Sequence, residues 1–168
     1  MIVRNISELP ALLRKNTCLL GLDYGSKVIG VAVSDPGFSV ASPLTSIVRT
    51  KFSADAAALA VIIKERNIGG IIVGLPKNMD GSESKTAQAA RAFMRNLSQK
   101  GVMPDPDIPV LFWDERLSTA AVERFLLEDD MSRKRRDAVV DKMAAAYILQ
   151  GALDAIRNEK VRQSIRPE

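Results

Sequence analysis

Two apolar runs joined by the turn-forming stretch Tyr24-Gly25-Ser26-Lys27 constrain this chain more than anything else in it. Cys18-Leu19-Leu20-Gly21-Leu22-Asp23 reads as a buried strand that ends on a carboxylate. Val28 to Val33 (VIGVAV) is a second strand of helix-disfavouring residues, so the two runs predict a hairpin. A third strand is expected within Leu44 to Arg49, after Pro43. The period then changes. Ala56, Leu59, Ala60 and Ile63 have helical spacing within Ala54 to Arg66, and Gly69-Gly70 is read as the stop. Ile71 to Leu75 is the next strand, closed by Pro76, and Ser84 to Gln99 carries a helical stripe of Ala87, Ala90, Phe93, Met94 and Leu97. Pro104, Pro106 and Pro109 mark a loop before the strand Val110 to Trp113. Ser118 or Thr119 caps a helix to about Leu127, and a basic loop, Arg133-Lys134-Arg135-Arg136, leads into a last helix over roughly Asp137 to Arg157. Near the start, Ser7 to Arg14 reads as a short helix capped by Ser7.

Three antiparallel strands followed by alternating helices and strands require parallel neighbours and right-handed crossovers in the second half. The expectation is an α/β fold: a five-stranded mixed sheet, three strands antiparallel and then two parallel, flanked by helices. The 168 residues suit one domain, with residues 1–16 as an N-terminal extension and 158–168 as a C-terminal tail.

Composition then limits the chemistry. The chain has no histidine and one cysteine, Cys18. Nucleophile pairs built on histidine, histidine-ligated zinc or haem, internal disulfides and multi-cysteine clusters are all excluded. Catalysis has to come from carboxylates, Lys or Arg, hydroxyls, or a hard metal ion held by oxygen. The formal charge of +4 and pI near 9.4 suit a polyanionic partner. At 5% aromatic residues, a platform of stacked rings for single strands is not expected. No apolar run approaches the ~20 residues of a membrane helix. The start, MIVRNISELPALLRKN, lacks the features of a signal peptide. A cytoplasmic protein with no membrane association is the expectation.

Carboxylates stand where a site could form. Asp23 ends the first strand, Asp114 and Glu115 end the strand after the proline-rich loop, and Asp141 lies in the first turns of the last helix. In open α/β sheets the crevice beyond the carboxyl ends of the strands is the usual ligand position. Asp141 continues into a stripe of Ala144, Ala145, Ile148 and Ala152, which puts it at the edge of a packed face. Burying a charge without a partner costs several kcal/mol, and converging carboxylates repel one another unless a cation neutralises them. Oxygen-only ligands favour Mg²⁺ or Mn²⁺, and carboxylate-held ions of this kind suit phosphodiester hydrolysis without histidine.

Singly, each residue has an ordinary structural reading. Asp23 could serve the turn, Glu115 could pair with Arg116 or a nearby lysine, Asp137 could cap the last helix or meet its dipole, and Asp141 could pair near Lys142 or with Arg135. The set is more telling than its members. The stretch Pro76 to Ser82 joins a strand end to a helix N-terminus, where backbone N–H groups with Lys77 and Ser82 could hold a phosphate. Lys27, Lys77, Asn78, Ser82, Arg116 and the run Arg133, Lys134, Arg135, Arg136 are the candidate contacts to a nucleic-acid backbone.

LLGLDYGSKVIGVAVSD, VGLPKNMDGSESKTAQAARAF, PVLFWDERLSTAAVERFL and RKRRDAVVDKMAAAYILQGALD resemble the four consecutive blocks of the YqgF family. Those are bacterial proteins with an RNase H-like fold, related to the RuvC-type Holliday junction resolvases. The resemblance runs from about Cys18 to Asp154, in order. It implies a nuclease acting on nucleic acid with divalent metal, since the family is described both as junction resolvases and as nucleases maturing the 5′ end of pre-16S ribosomal RNA. By motif, the aspartate of the GLDYG block is Asp23, the glutamate of DERLST is Glu115, and the aspartate of VDKMAAAYILQ is Asp141. Two positions depart from the common pattern: Val28 replaces a basic residue, and Glu83-Ser84-Lys85 follows where Glu-Gly-Pro is usual.

The expected function is therefore an Mg²⁺- or Mn²⁺-dependent nuclease on structured RNA, processing the 5′ end of pre-16S rRNA, with ribosomal precursor particles as partners and a monomer or weak dimer as the working form. Its rivals are a Holliday junction resolvase on four-way DNA, and a nucleic-acid-binding assembly factor with a vestigial metal site. An actin-like phosphotransferase also places Asp-x-Gly after a first strand, but that architecture needs two such domains and 168 residues are too few.

Overall fold

The computed structural model describes residues 2–75, 82–99, 101–105, 107–114 and 133–165, with the backbone alone for 133–141 and 163–165. Its strands are β1 (Ile2–Val3), β2 (Cys18–Tyr24), β3 (Val28–Ser34), β4 (Ala41–Val48), β5 (Ile68–Leu75) and β6 (Val110–Asp114). Its helices are α1 (Leu9–Leu12), entered through a 3-10 turn at Ile6–Glu8, then α2 (Phe52–Glu65), α3 (Lys85–Gln99) and α4 (Arg133–Ile165). They build one mixed sheet in the order β1-β6-β5-β2-β3-β4. β2, β3 and β4 pair antiparallel, whereas β5 lies parallel to β2, β6 to β5 and β1 to β6.

The expected α/β sheet is present with one strand more than expected. Ile2 and Val3 of the supposed extension pair with Val110 and Leu111. The helix expected over Ser7 to Arg14 is only the 3-10 turn and the short α1. β4 begins at Ala41, ahead of Pro43, which a strand on the sheet edge tolerates; Pro43 stands opposite Ala32, beside a register shift. Gly69 and Gly70 do not stop a helix but belong to β5. A Cβ on Gly69 would lie 2.6 Å from Thr17 Cβ, and one on Gly70 2.6 Å from Leu19 Cδ2, so close approach requires both glycines. The run Arg133 to Arg136 is the start of α4 and not a loop, and the supposed tail is helical to Ile165. Arg and Lys are good helix formers, and no proline interrupts residues 133–165. The helix expected after Ser118 lies outside the described residues.

Alternation along the strands gives the sheet two faces. Leu20, Leu22, Ile29, Val31, Ile71 and Val73 pack beneath α2 and α3 against Leu59, Ile63, Phe93, Met94 and Leu97. Leu19, Ala32, Ile72 and Leu111 pack on the other face against Ala145, Ile148, Leu149, Ala152, Leu153 and Ile156 of α4. Ser84 caps α3 by accepting the Ala87 N–H at 3.1 Å.

Candidate active site

Asp23 belongs to the α4 face. Leu22 and Tyr24 point to the α2/α3 side, so Leu19, Gly21 and Asp23 share the opposite one. α4 packs closely over this face at Gly21, where a Cβ would stand 2.7 Å from Leu149 Cβ and 3.0 Å from the Ala145 carbonyl oxygen. The helix runs against the direction of β2. Its later turns reach the segment that leaves β3, beside the start of β2: Arg157 and Gln150 donate to the Ser39 carbonyl, and Lys160 lies 5.4 Å from the Phe38 ring centroid. Its earlier turns advance toward the carboxyl end of β2. Position 141 is one turn, about 6 Å, before Ala145 in that direction. Asp23 is two residues, about 6.7 Å, beyond Gly21. The two backbone positions thus advance together from the Gly21 contact.

The register across the sheet sets what stands beside Asp23. Its partner on β3 is Gly30 and its partner on β5 is Gly74. Neither flanking strand places a side chain next to the half-buried Asp23, which has a polar interaction of its own. Next along the row, Trp113 is level with Gly74. Its indole reaches α4, with Nε1 3.4 Å from where a Cβ on Gly151 would stand. On the reverse face, burial pushes the Tyr24 hydroxyl up from its ordinary value while the Arg49 guanidinium, 4.5 Å over the ring, draws it back.

Of the residues singled out in the sequence, the structure brings the backbones of Asp23 and Asp141 toward one end of the sheet. Lys27 is exposed on the turn after β2, and Ser82 is exposed just before α3. Asp114 ends β6 level with Leu75. Arg133, Lys134, Arg135 and Arg136 form the first turn of α4, at the same end as position 141. Glu115, Lys77, Asn78 and Arg116 lie outside the described residues, as do the side chains of Asp141 and of the basic run. Among the described residues no three of His, Cys, Asp and Glu gather closely enough to hold a metal. The donor set still fits a hard divalent ion: Asp23 supplies carboxylate oxygen where neither flanking strand carries a side chain, and the chain holds no histidine to compete. Sequence reasoning missed Gly21, Gly30 and Gly74; glycine inside a strand was the available signal of close approach.

A family profile described as "RuvX: Holliday junction resolvase" matches residues 17–155. Proteins named "Putative pre-16S rRNA nuclease" are similar over nearly the whole chain. That of Rhodospirillum centenum is 56% identical over 157 residues, 94% of this chain and 84% of that protein. That of Roseobacter denitrificans is 53% identical over 163 residues, covering 97% and 98%. Among solved structures, Thermus thermophilus RuvC in complex with a Holliday junction substrate superposes with a TM-score of 0.51 at 13% identity, over 85% of this chain and 97% of that one. That superposition shows the RNase H-like fold that the motif blocks implied. With more than half of its residues shared with relatives spanning its length, this chain belongs to the RuvX family of nucleases.

Proposed function

We propose that this chain is a divalent-metal-dependent nuclease that hydrolyses phosphodiester bonds in structured RNA and matures the 5′ end of pre-16S rRNA in the cytoplasm, on ribosomal precursor particles. The position of Asp23 carries the reading: a half-buried carboxylate at the carboxyl end of the central strand, flanked by Gly30 and Gly74, on the face that α4 covers. Asp23, Glu115 and Asp141 would hold Mg²⁺ or Mn²⁺. When bound, the ion balances the carboxylates and the negative charge that gathers on the scissile phosphate. Lys27, Ser82, Lys77, Asn78, Arg116 and the run Arg133, Lys134, Arg135, Arg136 hold the phosphate backbone. With no histidine in the chain, the proton leaving the attacking water passes to a carboxylate, a lysine or solvent. The names carried by the relatives support RNA as the substrate.

A second reading, a resolvase acting on four-way DNA, is favoured by the description of the family profile and by the fold shared with RuvC. Symmetric resolution needs two sites in a two-fold dimer. One assay separates the readings: cleavage of precursor 16S rRNA against a four-way junction, in Mg²⁺ and in Mn²⁺. Trimming of the RNA supports the first reading, and paired cuts in the junction by a dimer support the second. Asp23→Asn and Asp141→Asn are each expected to abolish cleavage with the thermal midpoint retained. Undiminished cleavage by either variant removes that residue from the site. Tight binding with no cleavage in either metal points instead to an assembly factor.

A further inference from the structure

On the reverse face of the sheet, behind the β2–β3 turn, lies an ion pair to which the reaction gives no role. Asp55, in the first turn of α2, has a side chain only 2% exposed, and Arg49, just after β4, one 27% exposed. Arg49 Nε faces Asp55 Oδ2 at 3.8 Å, and neither atom has a hydrogen-bond partner among the described residues. Asp55 Oδ1 accepts the Thr50 N–H at 3.1 Å, which fixes the chain immediately after Arg49.

The rest of Arg49 serves the turn. Its Nη1 donates to the Gly25 carbonyl at 3.2 Å and to the Ser26 carbonyl at 3.3 Å. Its backbone N–H donates to the Lys27 carbonyl at 2.9 Å. Three consecutive carbonyls therefore end on one residue, while the guanidinium carbon lies 4.5 Å from the Tyr24 ring centroid. The turn also closes on itself, through the Gly25 N–H to the Val28 carbonyl at 3.0 Å. A hairpin turn needs no buried ion pair to form. Burying a carboxylate costs several kcal/mol unless its partner compensates, so Asp55 favours an Arg49 that stays in place against the turn.

What the turn carries is Lys27, the one cation between Asp23 and Ser34 in the sequence. We propose that Arg49, held by Asp55, is a positioning residue: it fixes the β2–β3 turn so that the Lys27 ammonium meets a phosphate of bound nucleic acid at a set place relative to Asp23. This rests on the nuclease reading above.

Arg49→Lys tests it, because lysine keeps the charge but loses the planar fork that reaches two carbonyls and the tyrosine ring. Amide exchange at Gly25 and Thr50 is expected to accelerate about ten-fold or more, with the amides of Leu20 and Leu22 unchanged. On the RNA substrate KM is expected to rise about ten-fold with kcat within about three-fold. Lys27→Ala should reproduce that rise in KM, and the double variant should add nothing to it. Asp55→Asn, close in shape to the native residue, should move both readouts the same way by less. Unchanged exchange in Arg49→Lys and Asp55→Asn overturns the positioning role, as does faster exchange with unchanged KM, which leaves the pair merely structural. A wild-type protein that neither binds nor cleaves RNA or junction DNA overturns the nuclease reading itself and the role of Lys27 with it, while the exchange data still report on the turn.

Discussion

Gly21→Ala should damage cleavage far more than folding. The added Cβ would stand 2.7 Å from Leu149 Cβ, 3.0 Å from the Ala145 carbonyl oxygen and 3.4 Å from Leu149 Cδ2. Carbon atoms in comfortable contact are about 3.5–4.0 Å apart, so the shortfall is about 1 Å. The two closest neighbours are a helix Cβ and a helix carbonyl, which cannot rotate aside as the end of a flexible side chain would. α4 must therefore lift from β2 by roughly that distance. Overpacking of this kind costs about 1–3 kcal/mol, of which about 0.5–1 kcal/mol is returned because alanine loses less backbone freedom than glycine on folding. A domain stable by about 5–15 kcal/mol stays almost wholly folded after such a loss. The lift occurs one turn from position 141 and two residues from Asp23, and a misplacement of about 1 Å in a catalytic constellation costs about 100-fold. Urea titration gives the stability change, and single-turnover cleavage of precursor RNA at saturating protein gives the rate. Gly151→Ala is the control, because its Cβ would meet the Trp113 indole no closer than 3.4 Å; both losses should be small there. A Gly21→Ala protein that is more stable than wild type, or that cleaves within two-fold of wild type, would refute the claim that this contact sets the site.

Two carboxylates outside the site give sharper electrostatic tests. Asp35 Oδ1 accepts the N–H groups of Ser39 at 2.7 Å and Val40 at 2.9 Å, and these bonds, that of Val40 foremost, hold its carboxyl below the usual range. A folded value below the unfolded one, about 3.9, stabilises fully above the unfolded value and is lost as pH falls through the folded one. Asp35→Ala should therefore lower the urea midpoint at neutral pH, and the deficit should shrink as acid protonates the wild-type carboxyl. Asp105 is held low first by the Asp107 N–H at 2.9 Å and only secondarily by Arg14. Arg14→Ala should then shift stability by less than about 1 kcal/mol and leave the Asp105 carboxyl still depressed in an NMR titration.

Local signals were enough wherever a segment's structure is decided by its own residues. The hairpin was legible because two apolar runs flank Gly25-Ser26, and α3 because Ser84 precedes a clean stripe and accepts the Ala87 N–H. The stripe Ala144, Ala145, Ile148 and Ala152 is buried as its spacing required. What the sequence hid is non-local. Two residues, Ile2 and Val3, are too few to show a period, and only the β6 edge makes them a strand. Gly69-Gly70 looks like a breaker until Thr17 and Leu19 are brought against it. The basic run looks like a solvated loop because charge says nothing of backbone state, while its helix propensity was the better guide. Asp23 could be chosen from its place at a strand end, but Arg49 and Asp55 gave no local hint. Their meaning lies in carbonyls more than twenty residues upstream.

The glycines around Asp23 tie the fold to the site. Away from this row the α4 face of the sheet is filled by Leu19, Ala32, Ile72 and Leu111. At Asp23 the filling stops: Gly21 precedes it on its own strand, and Gly30 and Gly74 flank it across the ladder. A Val or Leu buried at any of these positions would bring about 1.5–3 kcal/mol of transfer free energy, so a sheet selected for stability alone would carry one. Each absence has its own consequence. Without a side chain at Gly21, α4 approaches closely enough to carry position 141 toward the carboxyl end of β2. At Gly30 and Gly74 the flanking strands set no side chain of their own against the carboxylate. The apolar face is thus interrupted toward the carboxyl end of β2, and stability is given up at the row where a charge must work.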